Sequence, residues 1–237
     1  MIQHFKIITV THQHLNVEDI AQFAIHSDEL SSNEDKLDFL SQLLSTKEIV
    51  YLNTCNRVSY IFHGDIALNK DFLVSFFTQI NPKMSEQKLA GILKYIQCLE
   101  GQSAIDHLFK VASSMESMVV GEREIFRQLR ESFNVSNKLG YIGDHIRLLE
   151  RHFVTTAKEV YANTAIGENP VSIVSLAMNK FLERIEDREA RILLIGAGET
   201  NTLVGKFLSK YQFTNITIFN RSLDNASNLR QFLGAEA

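Results

Sequence analysis

The stretch ARILLIGAGETNTLVGKFLSKYQFTNITIFNRS, residues 190–222, determines the fold expected for the C-terminal part of the chain. A short apolar run leads into a glycine-rich turn, and an amphipathic segment and a second apolar run follow it. Because this order is strand, turn, helix and strand, it predicts the opening βαβ unit of a nucleotide-binding sheet. Residues 222–234 predict a further helix, but these elements cannot close a doubly wound sheet. We therefore expect either part of a longer protein or a shortened relative.

The turn GAGETN nearly fits the dinucleotide-binding pattern G-x-G-x-x-G. Gly196 permits the tight turn, and Gly198 lacks the Cβ that would block a pyrophosphate at the helix N-terminus. Asn201 replaces the third glycine, which predicts weaker packing of helix on strand. A glycine turn in an ordinary βαβ unit is the alternative, but the flanking strand and helix favour dinucleotide binding. The predicted cofactor-binding turn consists of Gly196, Ala197, Gly198, Glu199, Thr200 and Asn201.

The second strand of this unit ends in Asn220, Arg221 and Ser222. An NAD site usually has an acidic residue here for the ribose 2′-OH, whereas an arginine can hold a 2′-phosphate. These three residues are therefore predicted to contribute to an NADPH site. The alternative is a surface arginine in a loop.

Residues 1–145 combine strand and helix patterns. Apolar runs rich in β-branched and aromatic residues predict strands at residues 6–10, 48–54 and 58–64. Amphipathic spacing predicts helices at residues 17–25, 34–44 and 70–80, with Asn16 or Ser31 at the starts of the first two. This order predicts a small α+β domain with helices on one face of a sheet.

From residue 103 to residue 185 the pattern is almost entirely helical. Ser103 is a plausible N-cap, Gly121 interrupts the helix and Gly140 ends the next one. A long helix at residues 144–167 is broken by Gly167 and Pro170, and residues 171–185 predict another. The predicted fold class is α/β, with an α+β catalytic domain at 1–145, a linking helix at 146–168 and a partial Rossmann-like NADP-binding domain at 169–237.

The composition is that of a folded protein, since 45% of the 237 residues are hydrophobic and 22% are charged. The net charge of −4 argues weakly against a bulk nucleic-acid binder. The N-terminus lacks the features of a signal peptide, and no run approaches the roughly 20 apolar residues of a membrane span. We expect a cytoplasmic protein without a membrane segment. Two cysteines, with no CxxC or HxxxH spacing, predict no metal site.

Cys55 lies in YLNTCNRVSYIF, residues 51–62, between two strand-like runs and beside small polar residues and Arg57. A cation near a thiol favours the thiolate, which attacks acyl carbons to form a thioester that a hydride can reduce. Together with a nicotinamide site, this predicts acyl reduction. A small buried hydrophobic side chain is the alternative for Cys55. Cys98, in the helical-looking KYIQCLE, is interpreted as a core residue.

His107 lies in a predicted helix, where a structural histidine is the ordinary interpretation. It is a candidate general acid or hydrogen-bond donor if it faces the Cys55 turn. The charged segment at residues 122–131 by itself predicts a solvated helix start with charge pairs.

Three motifs in this order resemble the glutamyl-tRNA reductase family. The family signature Ser-Thr-Cys-Asn-Arg corresponds to residues 53–57, and its motif H-L-F-x-V-A-S-G-L-x-S-x-V-x-G-E-P-Q-I corresponds to HLFKVASSMESMVVGEREI at 107–125. The turn G-A-G-E-x and the strand ending in Asn-Arg follow. The resemblance implies NADPH-dependent reduction of glutamyl-tRNA(Glu) to glutamate-1-semialdehyde through a cysteine thioester, the first step of tetrapyrrole (porphyrin) biosynthesis. It also implies a homodimer for the full-length protein and a handoff of the product to the next enzyme.

The resemblance implies that Cys55 is the nucleophile and that His107 is needed for full activity. Further substrate contacts are implied for Thr54, Asn56, Arg57, Ser117, Glu122, Gln128 and His12. The family's Gly-Glu-Pro-Gln corresponds to residues 121–124 of this chain, where Arg123 and Glu124 replace the proline and the glutamine. An anion at Glu124 is expected to weaken glutamate binding unless Arg123 pairs with it. Ser114 also replaces a family glycine.

Two other functions stay open from the sequence. One is a non-catalytic or shortened relative that binds glutamyl-tRNA or a partner protein without hydride transfer. The other is the same chemistry with a different acyl donor, suggested by the two substituted residues.

Overall fold

The computed structural model describes residues 2–25, 30–166 and 173–233. The strands are β1 Phe5–Thr11, β2 Ile49–Asn53, β3 Arg57–His63, β4 Gln97–Glu100, β5 Ile192–Ile195 and β6 Ile216–Phe219. The helices are α1 Val17–Ala21, α2 Asn33–Leu43, α3 Lys70–Ile80, α4 Glu86–Ile92, α5 Gln102–Ala112, α6 Glu124–Lys138, α7 Asp144–Asn163, α8 Ile173–Leu182, α9 Glu199–Lys210 and α10 Leu223–Phe232. The chain divides into two compact units, residues 1–170 and 171–237. The functional boundaries expected at residues 145 and 168 stay predictions.

The first unit is built on an antiparallel sheet with the strand order β2-β3-β1-β4. The edge strand β4 differs from the helix expected around Cys98, which pairs with Ile8 of β1 instead. An unpaired edge of β1 offers a full row of hydrogen-bonding groups, and this tertiary pairing overrides local helix preference. Cys98 is half-buried against the core, close to its expected place.

Helices cover both faces of this sheet, so the expectation of helices on one face is wrong. Ile8 and Val10 of β1 pack into a core with residues of α1 to α4. Phe5 and Ile7 belong to a second core formed with α5, α6 and α7. Since all seven residues of β1 are buried and both its faces carry apolar side chains, neither face can be left to water.

Helix starts follow side-chain caps, with two differences from the sequence-based expectation. Asn16 caps α1 as expected, although this helix ends early, at Ala21. The cap of α2 is Ser32 rather than Ser31, because Ser32 forms a reciprocal capping box with Asp35. Ser103 does not cap α5, since its hydroxyl donates to the Glu100 carbonyl and closes the turn out of β4.

The end of α5 also differs, because this helix stops at Ala112 and leaves residues 113–123 as a loop. Gly140, with φ of +83°, ends α6 as expected. Gly167 and Pro170 lie outside the described residues. None of the helices in the described ranges combines the length and apolar character that a membrane span requires.

The N-terminus of α7 is capped by a side chain from a distant part of the chain. Its N-cap residue, Gly143, has no side chain to offer, and the Ile146 N–H donates instead to Glu48 Oε2 at 2.9 Å. Glu48 Oε1 lies 2.8 Å from His145 Nδ1. An ideal Cβ on Gly143 would lie 2.5 Å from Glu48 Cδ. The glycine therefore makes room for a carboxylate at the positive end of the helix dipole.

We expect Gly143→Ala to destabilise the protein by about 1–2 kcal/mol, because the added methyl group displaces the carboxylate from the helix end. Backbone strain does not contribute, since φ is −90° at this residue. The measurement is the free energy of unfolding in urea. Gly91→Ala is the matched control, because its Cβ would meet nothing within 4 Å. Equal stability of the Gly143 variant and the wild type would contradict this role for Glu48.

The second unit has the predicted order of strand, turn, helix and strand. β5 and β6 pair in parallel, with α9 between them in sequence. Leu194, Leu208 and Phe213 form a small core with Val174 and Met178 of α8. The βαβ unit expected from residues 190–222 is therefore present.

Candidate active site

The turn between β2 and β3 holds Cys55 at an exposed position. The Thr54 N–H donates to the Arg57 carbonyl at 2.9 Å, and Thr54 Oγ1 accepts the N–H groups of Asn56 and Arg57 at 3.3 and 3.1 Å. Thr54 thus closes the turn on itself, as small hydroxyl residues do. Cys55 is a free cysteine and is exposed, so the interpretation of Cys55 as a buried core residue is wrong.

Arg57 is buried, with 2% of its surface exposed. Its Nη2 donates to the Glu116 carbonyl at 2.7 Å. Burial lowers the pKa of Arg57 to about 10, and the nearby Glu116 carboxylate opposes that shift. The guanidinium is therefore still charged at neutral pH, and it anchors the loop after α5 to the Cys55 turn.

His12 joins the same turn from the end of β1. Its backbone N–H donates to the Asn56 carbonyl at 3.0 Å. The preceding residue, Thr11, pairs directly with Arg57 across the sheet. This register brings the backbone of His12 next to the Cys55 turn, and the substrate contact implied for His12 stays a prediction.

His107 and Arg57 line one small cavity, together with Ser59 and six apolar side chains. Burial and the positive charge of Arg57 lower the pKa of His107 to about 4, although Glu116 acts in the opposite direction. The imidazole is therefore neutral at pH 7, with one nitrogen able to donate and the other able to accept a hydrogen bond.

The shifted pKa of His107 predicts a specific pH dependence of stability. Between pH 6.5 and about 4, His107 binds a proton in the unfolded chain but not in the folded chain. The contribution of His107 to the free energy of unfolding therefore falls as the pH falls through this window, and it is constant above the window. The contribution is at most about 3 kcal/mol. His107→Gln should remove this part of the slope, as measured by urea unfolding of both proteins from pH 4 to 8. Parallel stability curves would contradict the shift.

Five buried polar side-chain atoms in this region have no hydrogen-bond partner within the described part of the chain. They are Thr11 Oγ1, His12 Nδ1, Arg57 Nη1, His107 Nε2 and Ser117 Oγ. Each such atom costs about 1–3 kcal/mol, so native proteins contain few of them. Their concentration beside an exposed thiol is typical of a site for a polar ligand that supplies the missing partners.

The loop at residues 113–123 holds Ser117 and Glu116 in place. Ser114 has φ of +58°, a conformation that favours glycine and matches the family's glycine at this position. Its hydroxyl lies 2.6 Å from the Glu122 carbonyl, to which it donates, and 2.5 Å from the Tyr161 hydroxyl. These bonds close the loop, so the serine replaces glycine while adding two contacts that glycine lacks.

The charged residues at the start of α6 form charge pairs, as the sequence by itself predicted. Glu124 accepts two hydrogen bonds from Arg127, at 3.0 and 2.6 Å, rather than pairing with Arg123. The Arg123 guanidinium lies 5.0 Å from the centre of the Tyr161 ring. Gln128 is half-buried on the second turn of α6. In the part of the chain that the structure describes, no hydrogen bond joins Arg123, Glu124 or Gln128 to the Cys55 turn.

The glycine turn of the second unit is closed by two asparagines. Gly196 has φ of +98°, and Asn201 Nδ2 donates to the carbonyls of Ile195 and Gly196, each at 2.8 Å. Asn201 therefore stabilises the turn. The sequence pattern, in which Asn201 only replaces a glycine, did not predict this role. Asn220 Oδ1 accepts the Ala197 N–H at 3.1 Å and so connects the ends of β5 and β6.

The N-terminus of α9 is open to an anion. Its N-cap, Gly198, makes no side-chain hydrogen bond, and nothing lies within 4 Å of its Cβ position. Glu199 and Thr200 are exposed on the first turn, and Arg221 is exposed after β6. Ser222 caps α10. A helix start without a side-chain cap, after a glycine turn, fits a phosphate, so this turn fits a dinucleotide.

Residues 8–164, more than half of the chain, match the family model described as glutamyl-tRNAGlu reductase, N-terminal domain. This chain belongs to the glutamyl-tRNA reductase family. Residues 175–237 match the model described as shikimate / quinate 5-dehydrogenase. Both the family and the mixed α/β fold class predicted from the sequence are confirmed.

Relatives within the family support this assignment. A glutamyl-tRNA reductase of Pseudomonas syringae pv. syringae is 32% identical over 235 residues, covering 98% of this chain and 53% of the relative. That of Saccharophagus degradans is 35% identical over 197 residues, covering 80% and 44%. The structure of glutamyl-tRNA reductase from Methanopyrus kandleri has a TM-score of 0.64 at 25% identity, covering 99% of this chain and 54% of that one. The chain spans about half the length of the curated relatives it matches.

Sequence reasoning missed three residues of the site in this family member. Thr11 carries an unpaired hydroxyl, Glu116 supplies the carbonyl that holds Arg57, and Tyr161 closes the loop through Ser114. Glu116 acts through its backbone, which leaves no side-chain signal in the sequence. Thr11 reaches the site through the register of β1 on β3, and Tyr161 reaches it through the packing of α7 against the loop.

Proposed function

We propose that this chain forms a glutamyl thioester on Cys55 from glutamyl-tRNA(Glu), within an NADPH-dependent reduction to glutamate-1-semialdehyde that opens tetrapyrrole biosynthesis. The observation that carries this proposal is the exposed thiol beside five unpaired buried polar atoms, in a chain of this family. A glutamyl group has a carboxylate, an ammonium and a carbonyl, which can satisfy such donors and acceptors.

The Cys55 thiolate attacks the ester carbonyl that joins glutamate to the tRNA. The C–S bond forms, the C–O bond breaks, and the tRNA hydroxyl leaves with a proton from solvent. Arg57 binds the side-chain carboxylate of glutamate through its unpaired Nη1, since a guanidinium suits a carboxylate. His107, which is neutral, holds the substrate by a hydrogen bond from Nε2. Thr54 keeps the turn in shape.

The second unit fits the cofactor. NADPH, when bound, supplies the hydride that converts the thioester to the aldehyde and releases the thiolate. The turn at Gly196 and the N-terminus of α9 would hold the pyrophosphate, and Arg221 would hold the 2′-phosphate.

The test is to mix the chain with glutamyl-tRNA in the absence of NADPH and to measure its intact mass. A gain of one glutamyl group supports the proposal. Aspartyl-tRNA and glutaminyl-tRNA serve as competitors for specificity, and an adduct with either in place of glutamate would show a different acyl donor. A folded protein whose thiol reacts with an alkylating reagent but forms no adduct would contradict the proposal and favour a binding-only role.

A further inference from the structure

A second cluster of polar side chains lies at the other end of β3. Arg57 begins this strand beside the Cys55 turn, and His63 ends it about 20 Å away at the usual rise per residue. Glu48 comes just before β2, and His145 is in the first turn of α7. The three residues are far apart in sequence, which explains why residue spacing predicted no metal site.

The geometry of these three side chains is that of a metal-ligand set. One ligand atom from each lies within 4.8 Å of the others. The rings of His63 and His145 stack with centroids 3.8 Å apart, and His145 Nδ1 lies 2.8 Å from Glu48 Oε1. Two imidazoles and a carboxylate are a ligand set that zinc uses in sites with an open position. Ligand atoms around tetrahedral zinc are about 3.4 Å apart, and a metal binds in the plane of each imidazole ring, so binding requires one of the two stacked rings to tilt toward the ion.

The surroundings meet the further requirements of a metal site. The Ile146 N–H holds Glu48 Oε2 at 2.9 Å, which orients the carboxylate as an outer hydrogen bond does around bound metals. A groove of about 580 Å³ lined by Glu48 and His63, with His4 and Asp65 at its rim, provides an entry path.

We propose that Glu48, His63 and His145 bind a divalent transition-metal ion of the zinc class, with an open coordination position toward this groove. The metal ties the start of α7 to the ends of β2 and β3, two strands whose backbones already pair here, since the His63 N–H donates to the Glu48 carbonyl at 3.0 Å. Because such an ion binds the folded chain and not the unfolded one, it stabilises the first unit.

The experiment is a calorimetric titration of the Cys55→Ser chain with zinc chloride, together with thermal unfolding. The serine removes the exposed thiol as a competing ligand. We expect one equivalent of zinc to bind, and Tm to rise by roughly 5–10 °C at a hundredfold excess over Kd. His63→Ala and His145→Ala should each weaken binding by more than about 100-fold, since loss of an outer partner alone costs 10–100-fold.

His152→Ala is the matched control, because His152 is an exposed histidine on the same helix. It should bind zinc as the parent does. Zinc binding that survives both His63→Ala and His145→Ala would overturn the proposal, as would the absence of binding and of any Tm shift. Binding by the wild type that disappears entirely in the Cys55→Ser parent would assign the metal to the thiol and overturn it as well. If either histidine variant fails to fold, His63→Gln or Glu48→Gln replaces it with the same expected loss.

Discussion

Replacing Cys55 with serine is expected to abolish the glutamyl adduct, with adduct formation falling by at least about 10³-fold, the scale of loss when a catalytic nucleophile is removed. A serine hydroxyl without an adjacent base is a far weaker nucleophile than a thiolate. The turn should keep its shape, because it is held by Thr54 and by backbone hydrogen bonds rather than by the sulfur. The measurement is intact mass after reaction with glutamyl-tRNA.

Cys98→Ser is the control for this experiment. Cys98 is half-buried on β4, and burial together with the nearby Glu100 raises the pKa of its thiol to about 11. It is therefore protonated and unreactive at neutral pH. The Cys98 variant should form the adduct at the wild-type rate, and an adduct that persists in Cys55→Ser but not in Cys98→Ser would show that the wrong cysteine was assigned.

Replacing Arg57 with leucine is expected to reduce adduct formation by about 10²–10³-fold, because it removes the buried cation proposed to bind the substrate carboxylate. The free energy of unfolding should fall by no more than about 1–3 kcal/mol, because the Glu116 carbonyl loses its donor while the cost of burying the guanidinium is removed. Arg57→Lys should show an intermediate loss, because lysine keeps the charge but cannot form two parallel hydrogen bonds.

The pair of measurements for Arg57 is single-turnover adduct formation and urea unfolding. A loss of adduct much larger than the loss of stability, in a variant that stays folded, is the signature of a substrate-binding residue. A leucine variant that loses both to the same degree would assign Arg57 to the anchoring of the Glu116 loop alone. Unchanged adduct formation would contradict the proposed contact with the substrate.

Local patterns predicted much of the fold because they act over a few residues. The apolar, β-branched run of β1, the helical spacing of α7 and the flanks of the Gly196 turn each specify their own element. Two misassigned segments have different causes. The β4 strand forms because the distant strand β1 has an unpaired edge. Ser103 is misassigned for a local reason, since its hydroxyl donates to the Glu100 carbonyl three residues earlier.

The site divides in the same way. The sequence alone predicted a polar turn around Cys55 and the glycine turn at Gly196, because each is a short motif whose chemistry depends on adjacent residues. That the Cys55 thiol is exposed rather than buried was decided by the structure. Only the tertiary structure decided which polar atoms meet beside that thiol. Arg57 and Glu116 are joined across the first unit, because strand register and loop closure create contacts that spacing does not encode.

The cluster of Glu48, His63 and His145 shows this limit most clearly. None of the three residues lies in a recognisable motif, and no sequence spacing connects them. Packing of α7 against the ends of two strands brings their ligand atoms within 4.8 Å. Local sequence determined the helices and strands. Burial and long-range packing determined which charged and polar groups share a site, because the free energy of folding becomes favourable only when the whole unit is assembled.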